Sequence, residues 1–390
     1  MKLYRRAPRL SIGQKGARTY ILTNARRGLM MVLSRGVHRK EGFFMIEFDR
    51  RQFEEYARAV FTTDSPSGCT ADAIALIKSY VEELGYTARI HNKGTLEVDV
   101  PGLDNSKTVA TSAHIDTLGL MVRSVKSGGT LALTKVGGPL CPTLDGEYCT
   151  VLTRGGKRHS GTILSLAPAA HVHPDAATMP RDVEHLEVRL DEEVKSAEDV
   201  KALGIDNGDF VFIDPKFTVT ETGFLKSRFI DDKASAVLLL LLLRWCSEKK
   251  AAFRHPTRIY FVVFEEVGHG ASALGRDVDE FVTVDMGCVG LDLAGNEYAV
   301  SICAKDSGGP YDYELTNRLI ALAKKHGLPY TVDIFPFYGS DVGAAWHAGV
   351  DCKGALIGSG VCASHGMERT HIKGLEATLK LMYLYLCGEE

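Results

Sequence analysis

Residues 258–264 (RIYFVVF) do most to limit the fold, because their apolar character is nearly continuous rather than alternating. A strand of this kind is covered on both faces, which puts it at the centre of a layered α/β sheet. Two carboxylates, Glu265 and Glu266, follow it directly. Adjacent acids at the end of a buried strand repel each other and lose hydration unless cations neutralise them. A solvated loop pair is the competing reading.

Three other strand-like segments end in the same way. Residues 108–113 (TVATSA) deliver His114 and Asp116, residues 281–284 deliver Asp285, and residues 354–358 lead into the loop that carries His365. In open α/β sheets ligands bind beyond the carboxyl ends of the strands, so these four ends are expected to converge. A helix starts at Asp231 and runs to Lys249, residues 71–84 form an amphipathic helix, and residues 88–100 read as two short strands. The fold class expected is α/β, with a mixed, mostly parallel sheet and helices on both faces.

Between residues 122 and 222 the texture changes. Strand-sized segments at 130–136, 148–153, 185–190 and 210–213 are separated by Gly/Pro turns, with one short helix near 196–203. This reads as an inserted β-rich domain that divides a catalytic domain into 45–121 and 223–390. Residues 1–44, with eight Arg and three Lys but no acid in the first 40 residues, are expected to be a poorly ordered basic leader with Met45 a candidate start, a targeting peptide and a nucleic-acid arm being the competing readings. It lacks the apolar core of a secretory signal.

With 45% hydrophobic and 24% charged residues the chain has the make-up of a globular protein, and a net charge of -3 gives no bulk attraction to nucleic acid or an anionic membrane. The most apolar run, residues 237–243, falls far short of the roughly 20 residues that a membrane span requires. Nine cysteines with no CxxC pair fit reduced thiols in a cytoplasmic enzyme better than a disulfide framework or a zinc ribbon.

Each candidate residue has a bland explanation. His114-Ile115-Asp116 recurs by chance, Asp231 and Asp232 suit an ordinary helix N-cap, Asp285 suits an Asx turn, and His365, His371 and His269 suit loops. Jointly, two histidines and several carboxylates at successive strand ends are hard to explain without metal. A carboxylate two residues after a ligating histidine can accept from its second ring nitrogen, which makes Asp116 the candidate partner of His114.

The ordered series AHIDTLGLMV, FIDDKASA, FEEVGHGA, VDMG, YGSDVGAA and SHGMERTH resembles the metallopeptidase family of glutamyl and tetrahedral aminopeptidases, over residues 46–390. That resemblance implies a metal-dependent exopeptidase fold. It also implies His114, Asp231 and Asp285 as ligands of one metal, and Asp231, Glu266 and His365 as ligands of another, with Asp231 shared. Glu265 corresponds to the proton shuttle, Asp116 to the partner of His114, and Asp341 to a position near the substrate pocket. ICAKDSGGPYDYEL further resembles a subgroup associated with the osmoprotectant N-acetylglutaminylglutamine amide, and GMERTH replaces a Pro-containing stretch after His365.

The expected activity is removal of the N-terminal residue of a peptide by a water activated between two divalent ions, zinc or else cobalt, with Glu265 as base. The expected partners are a peptide or small amide and further copies of the chain, as a dimer or dodecamer, with neither nucleic acid nor membrane. Three rivals stand beside this reading: an amidohydrolase or deacylase acting on N-acylated dipeptides or peptide amides, a non-catalytic scaffold, and a glycoside hydrolase. The last needs carboxylates on opposite sides of a sugar bond, which adjacent Glu265 and Glu266 do not by themselves supply.

Overall fold

The computed structural model describes residues 45–388. The basic leader expected at 1–44 lies outside the described residues.

The Glu265 strand is Thr257–Val262, with five of its six residues buried. Its neighbours in the large sheet are Leu96–Val100 on one side and Val109–His114 on the other, followed by Glu280–Val284, Lys353–Val361 and Val300–Asp306. The four central strands run parallel, with Val262 opposite His114, Thr283 opposite Ser112, and Val284 opposite Ile357. Antiparallel pairs close both margins of that core. Because the parallel strands share direction and register, the residues that follow them emerge along one edge. Val109–His114 is buried along its whole length, and its small residues let neighbouring strands and the helix Ile230–Lys249 pack closely.

Ile230–Lys249 buries fifteen of its twenty residues, including Leu238 to Leu243 in sequence. A helix apolar all round belongs between layers. It packs on the His114 strand and against the helices Arg50–Thr62 and Ile372–Cys387. Each fully buried leucine contributes about 1.5–3 kcal/mol. Among the described residues no helix is long and apolar enough to cross a membrane.

After Asp116 the chain leaves the large sheet and builds a closed antiparallel barrel in the order Gly119–Val125, Leu131–Val136, Leu186–Leu190, Arg158–Ser165, Tyr148–Leu152, Phe210–Ile213. Leu120, Leu133, Val151, Ile163, Val188 and Val211 fill it as a hydrophobic cluster of its own. Closure leaves the barrel without an exposed edge. The chain then returns to a small sheet in which Phe224–Ser227 pairs with Glu368–His371, Ser227 lying opposite Glu368.

Candidate metal centre

The four strand ends meet as expected, and the two histidines are oriented alike. His114 is buried; its Nδ1 donates to the backbone carbonyl of Asp116 at 2.9 Å, so Nε2 faces the carboxylates. Nε2 is 3.1 Å from Asp231 Oδ1 and 3.7 Å from Glu265 Oε2. His365 likewise donates Nδ1 to the carbonyl of Gly138 at 3.0 Å, and its Nε2 is 3.5 Å from Asp231 Oδ2 and 3.6 Å from Glu266 Oε2. A carbonyl can only accept, so both rings carry hydrogen on Nδ1 and turn the other nitrogen toward acids.

The ordinary N-cap reading of Asp231 does not describe its position. The helix begins after Phe229, which has no side-chain cap bond, and Asp231 and Asp232 have non-helical backbone angles. The Asp231 carboxylate is thus free to lie between the two imidazoles, while Asp232 Oδ2 accepts the His114 N–H at 3.1 Å.

Asp116 differs from expectation. Its carboxylate is 3.8 Å from His114 Nδ1, too far for the predicted hydrogen bond, and the backbone carbonyl of Asp116 takes that place. The carboxylate is occupied elsewhere, accepting Ser67 Oγ at 2.5 Å and the N–H groups of Glu265 and Glu266 at 3.1 and 3.3 Å. It therefore fixes the turn that aims the paired glutamates, one toward His114 and the other toward His365.

Ligand atoms of His114, Asp231 and Glu266 lie within 4.8 Å of one another, and so do those of His114, Glu265 and Asp285. His365 joins through its contacts to Asp231 and Glu266. Proximity alone does not separate Glu265 from a ligand. Gly358, in the neighbouring strand, makes room for Asp285, since a Cβ there would lie 1.4 Å from the Asp285 carbonyl oxygen.

The acids strain one another electrostatically. Burial, then the Asp231 charge, push Asp285 up to about 7, and burial lifts Glu265 and Glu266 well above the ordinary carboxylate range. Burial also opposes charge on Asp231, but hydrogen bonds from His114 and His365 outweigh it and hold that carboxyl low. Hydrogen bonding to Asp231 raises His365 to about 9. Divalent cations would relieve this crowding of negative charge. Glu266 Oε1 is buried with no hydrogen-bond partner among the described residues, as suits an oxygen that ligates a cation. The site opens into a cavity of about 500 Å³.

Glu368 was not anticipated as part of this site. Its Oε1 accepts the N–H of His365 at 2.9 Å and its Oε2 that of Asp231 at 3.1 Å. The only sequence signal is its place in SHGMERTH. The loop at Gly138 and Leu140 was also missed; besides receiving the His365 ring, it donates Leu140 N–H to the His365 carbonyl at 2.9 Å. His365 itself has φ +64, a conformation that costs a non-glycine residue of order 1–3 kcal/mol and needs such support. His371 and His269 lie outside the cavity lining, bonded to Thr222 and Lys93. Asp341 accepts Ala271 N–H at 2.9 Å and Ser112 Oγ at 3.2 Å and does not line the cavity either.

Known proteins share this arrangement of chain. The YhfE protein of Bacillus subtilis (strain 168) is 41% identical over 337 residues, which is 86% of this chain and 97% of that protein. Glutamyl aminopeptidase of Lactococcus lactis subsp. cremoris (strain MG1363) is 24% identical over 195 residues, 50% of this chain and 54% of that one. The fold of Pyrococcus horikoshii TET1 peptidase superimposes with a TM-score of 0.75 at 21% identity, covering 85% of this chain and 98% of that structure. The M42 glutamyl aminopeptidase family matches residues 94–381, a span that holds every strand end gathered around Asp231. The chain therefore belongs to the M42 family of peptidases, enzymes that use divalent metal ions.

Proposed function

We propose that this peptidase removes the N-terminal residue of peptides with two divalent ions, one held by His114, Asp231 and Asp285 and the other by Asp231, Glu266 and His365. One observation carries this reading: the Nε2 atoms of His114 and His365 face different oxygens of a single carboxylate, Asp231 Oδ1 at 3.1 Å and Oδ2 at 3.5 Å. A carboxylate so situated can serve two ions. Imidazole nitrogens with carboxylate oxygens suit zinc, with cobalt the alternative. When bound, such ions polarise a carbonyl and lower the pKa of water.

Glu265 is assigned the proton transfers. Its carboxylate takes a proton from the attacking water and returns it to the leaving amine. Asp116 supports that role by anchoring the Glu265 N–H at 3.1 Å, so the carboxylate stays directed at the cavity. The TET1 peptidase of Pyrococcus horikoshii can assemble into a tetrahedron or a large octahedral shell, and self-association is proposed here also.

The test is to load the protein with zinc or cobalt and assay aminoacyl anilides beside N-acetyl dipeptide amides. Hydrolysis confined to free N-termini is expected. Hydrolysis confined to blocked substrates would assign an amidohydrolase, the reading that the osmoprotectant resemblance would favour.

A further inference from the structure

The wall of the catalytic cavity divides into two kinds of surface. One is the acid and imidazole cluster already described. The other is made by Leu140, Met286, Cys288, Phe337 and Tyr338 together with small residues. Beyond the cluster, no Lys, Arg, Asp or Glu among the described residues lines the cavity. Tyr338 spends its hydroxyl hydrogen on the carbonyl of Met286 at 3.0 Å, so it offers mainly its ring. Leu140 and Phe337 are 52% and 96% exposed, leaving apolar surface at the site that none of the other described residues covers.

We infer that the side chain of the residue being removed is uncharged and apolar, of the leucine, methionine or phenylalanine class, rather than glutamate or lysine. This rests on the aminopeptidase reading above and deepens it. A substrate carboxylate entering this cavity meets no Lys or Arg among the described residues that line it. A substrate ammonium finds no acid except those engaged in the cluster. In either case the charge loses water without a partner, whereas an apolar side chain exchanges water for contact with Leu140, Met286 and Phe337. The Lactococcus lactis relative is named for glutamyl substrates, so this chain's cavity predicts a different preference.

The experiment compares kcat/KM of the metal-loaded full chain on leucyl, methionyl, phenylalanyl, glutamyl and lysyl para-nitroanilides. The best apolar substrate is expected to exceed both charged ones by about tenfold or more. Leu140→Lys, which adds a cation to the wall, is expected to raise the glutamyl-to-leucyl ratio by about fivefold or more, mainly through KM for the glutamyl substrate. A wild-type preference for glutamyl or lysyl substrates overturns the inference while leaving the aminopeptidase reading intact, and so does a ratio that Leu140→Lys does not move. Failure to cleave any free aminoacyl substrate overturns both.

Discussion

Glu368 accepts the backbone N–H of Asp231 at 3.1 Å, although 137 residues separate them. The pairing of Ser227 with Glu368 in the small sheet brings them together. With its other oxygen on the His365 N–H, one buried carboxylate locates the proposed shared ligand and a second ligand at once.

Glu368→Gln keeps the size of the side chain but supplies one acceptor oxygen where two N–H groups need one each. Loss of a supporting group of this kind weakens metal binding by about 10–100-fold. Metal titration of the apo-protein should show that loss, with catalytic activity restored at high metal concentration. Unchanged affinity would assign Glu368 a purely structural role.

Glu265→Gln separates the two roles that proximity allows. As the base, Glu265 is needed for proton transfer and not for metal retention, so activity should fall by about 10²–10⁴-fold while metal content stays the same. Elemental analysis showing one ion fewer per chain would make Glu265 a ligand instead.

Removal of metal should lower thermal stability as well as activity. The imidazole of His114 offsets only part of the upward push that burial gives Glu265, Glu266 and Asp285, so a bound ion favours the folded state. At a free concentration a hundred times the dissociation constant the gain is about 2.7 kcal/mol. Differential scanning of chelated protein, with and without added zinc, should show a rise in Tm on addition.

Far from the cavity, Glu280 is buried beside Lys107 at 2.8 Å, Tyr385 hydroxyl at 2.9 Å and Arg318. Burial opposes its charge, yet these donors hold its pKa below 4.5. A depressed carboxylate contributes stability that is present above about pH 4.5 and is lost as pH falls through the lower folded value. Glu280→Ala should cost roughly 2 kcal/mol at neutral pH, less than a fully buried pair because its cations retain some solvent contact. The mutant and wild-type denaturation midpoints should converge as pH falls below 4.5, a trend that equilibrium urea titrations would check.

Strand ends are the legible part of this chain. The run at 258–264 announces burial by its composition, and Glu265 and Glu266 stand out because acids rarely follow such a run without compensation. What escapes a linear reading is which atom meets which. A two-residue spacing suggests that Asp116 pairs with the His114 ring, but its carboxylate is engaged by Ser67 and by the backbone of Glu265 and Glu266, groups 49 to 150 residues away. Glu368 is invisible for the same reason, since its partners are backbone N–H groups. Of the barrel, 210–213 (FVFI) is apolar enough to find, while Arg158–Ser165 (RHSGTILS) buries only alternate positions and begins with polar residues.

The most direct test of the shared-carboxylate centre is anomalous diffraction from crystals of the zinc-loaded protein. Two peaks per chain are expected, one on each side of Asp231, with His114 beside one and His365 beside the other. A single peak, or a second peak away from Asp231, would contradict the two-ion centre.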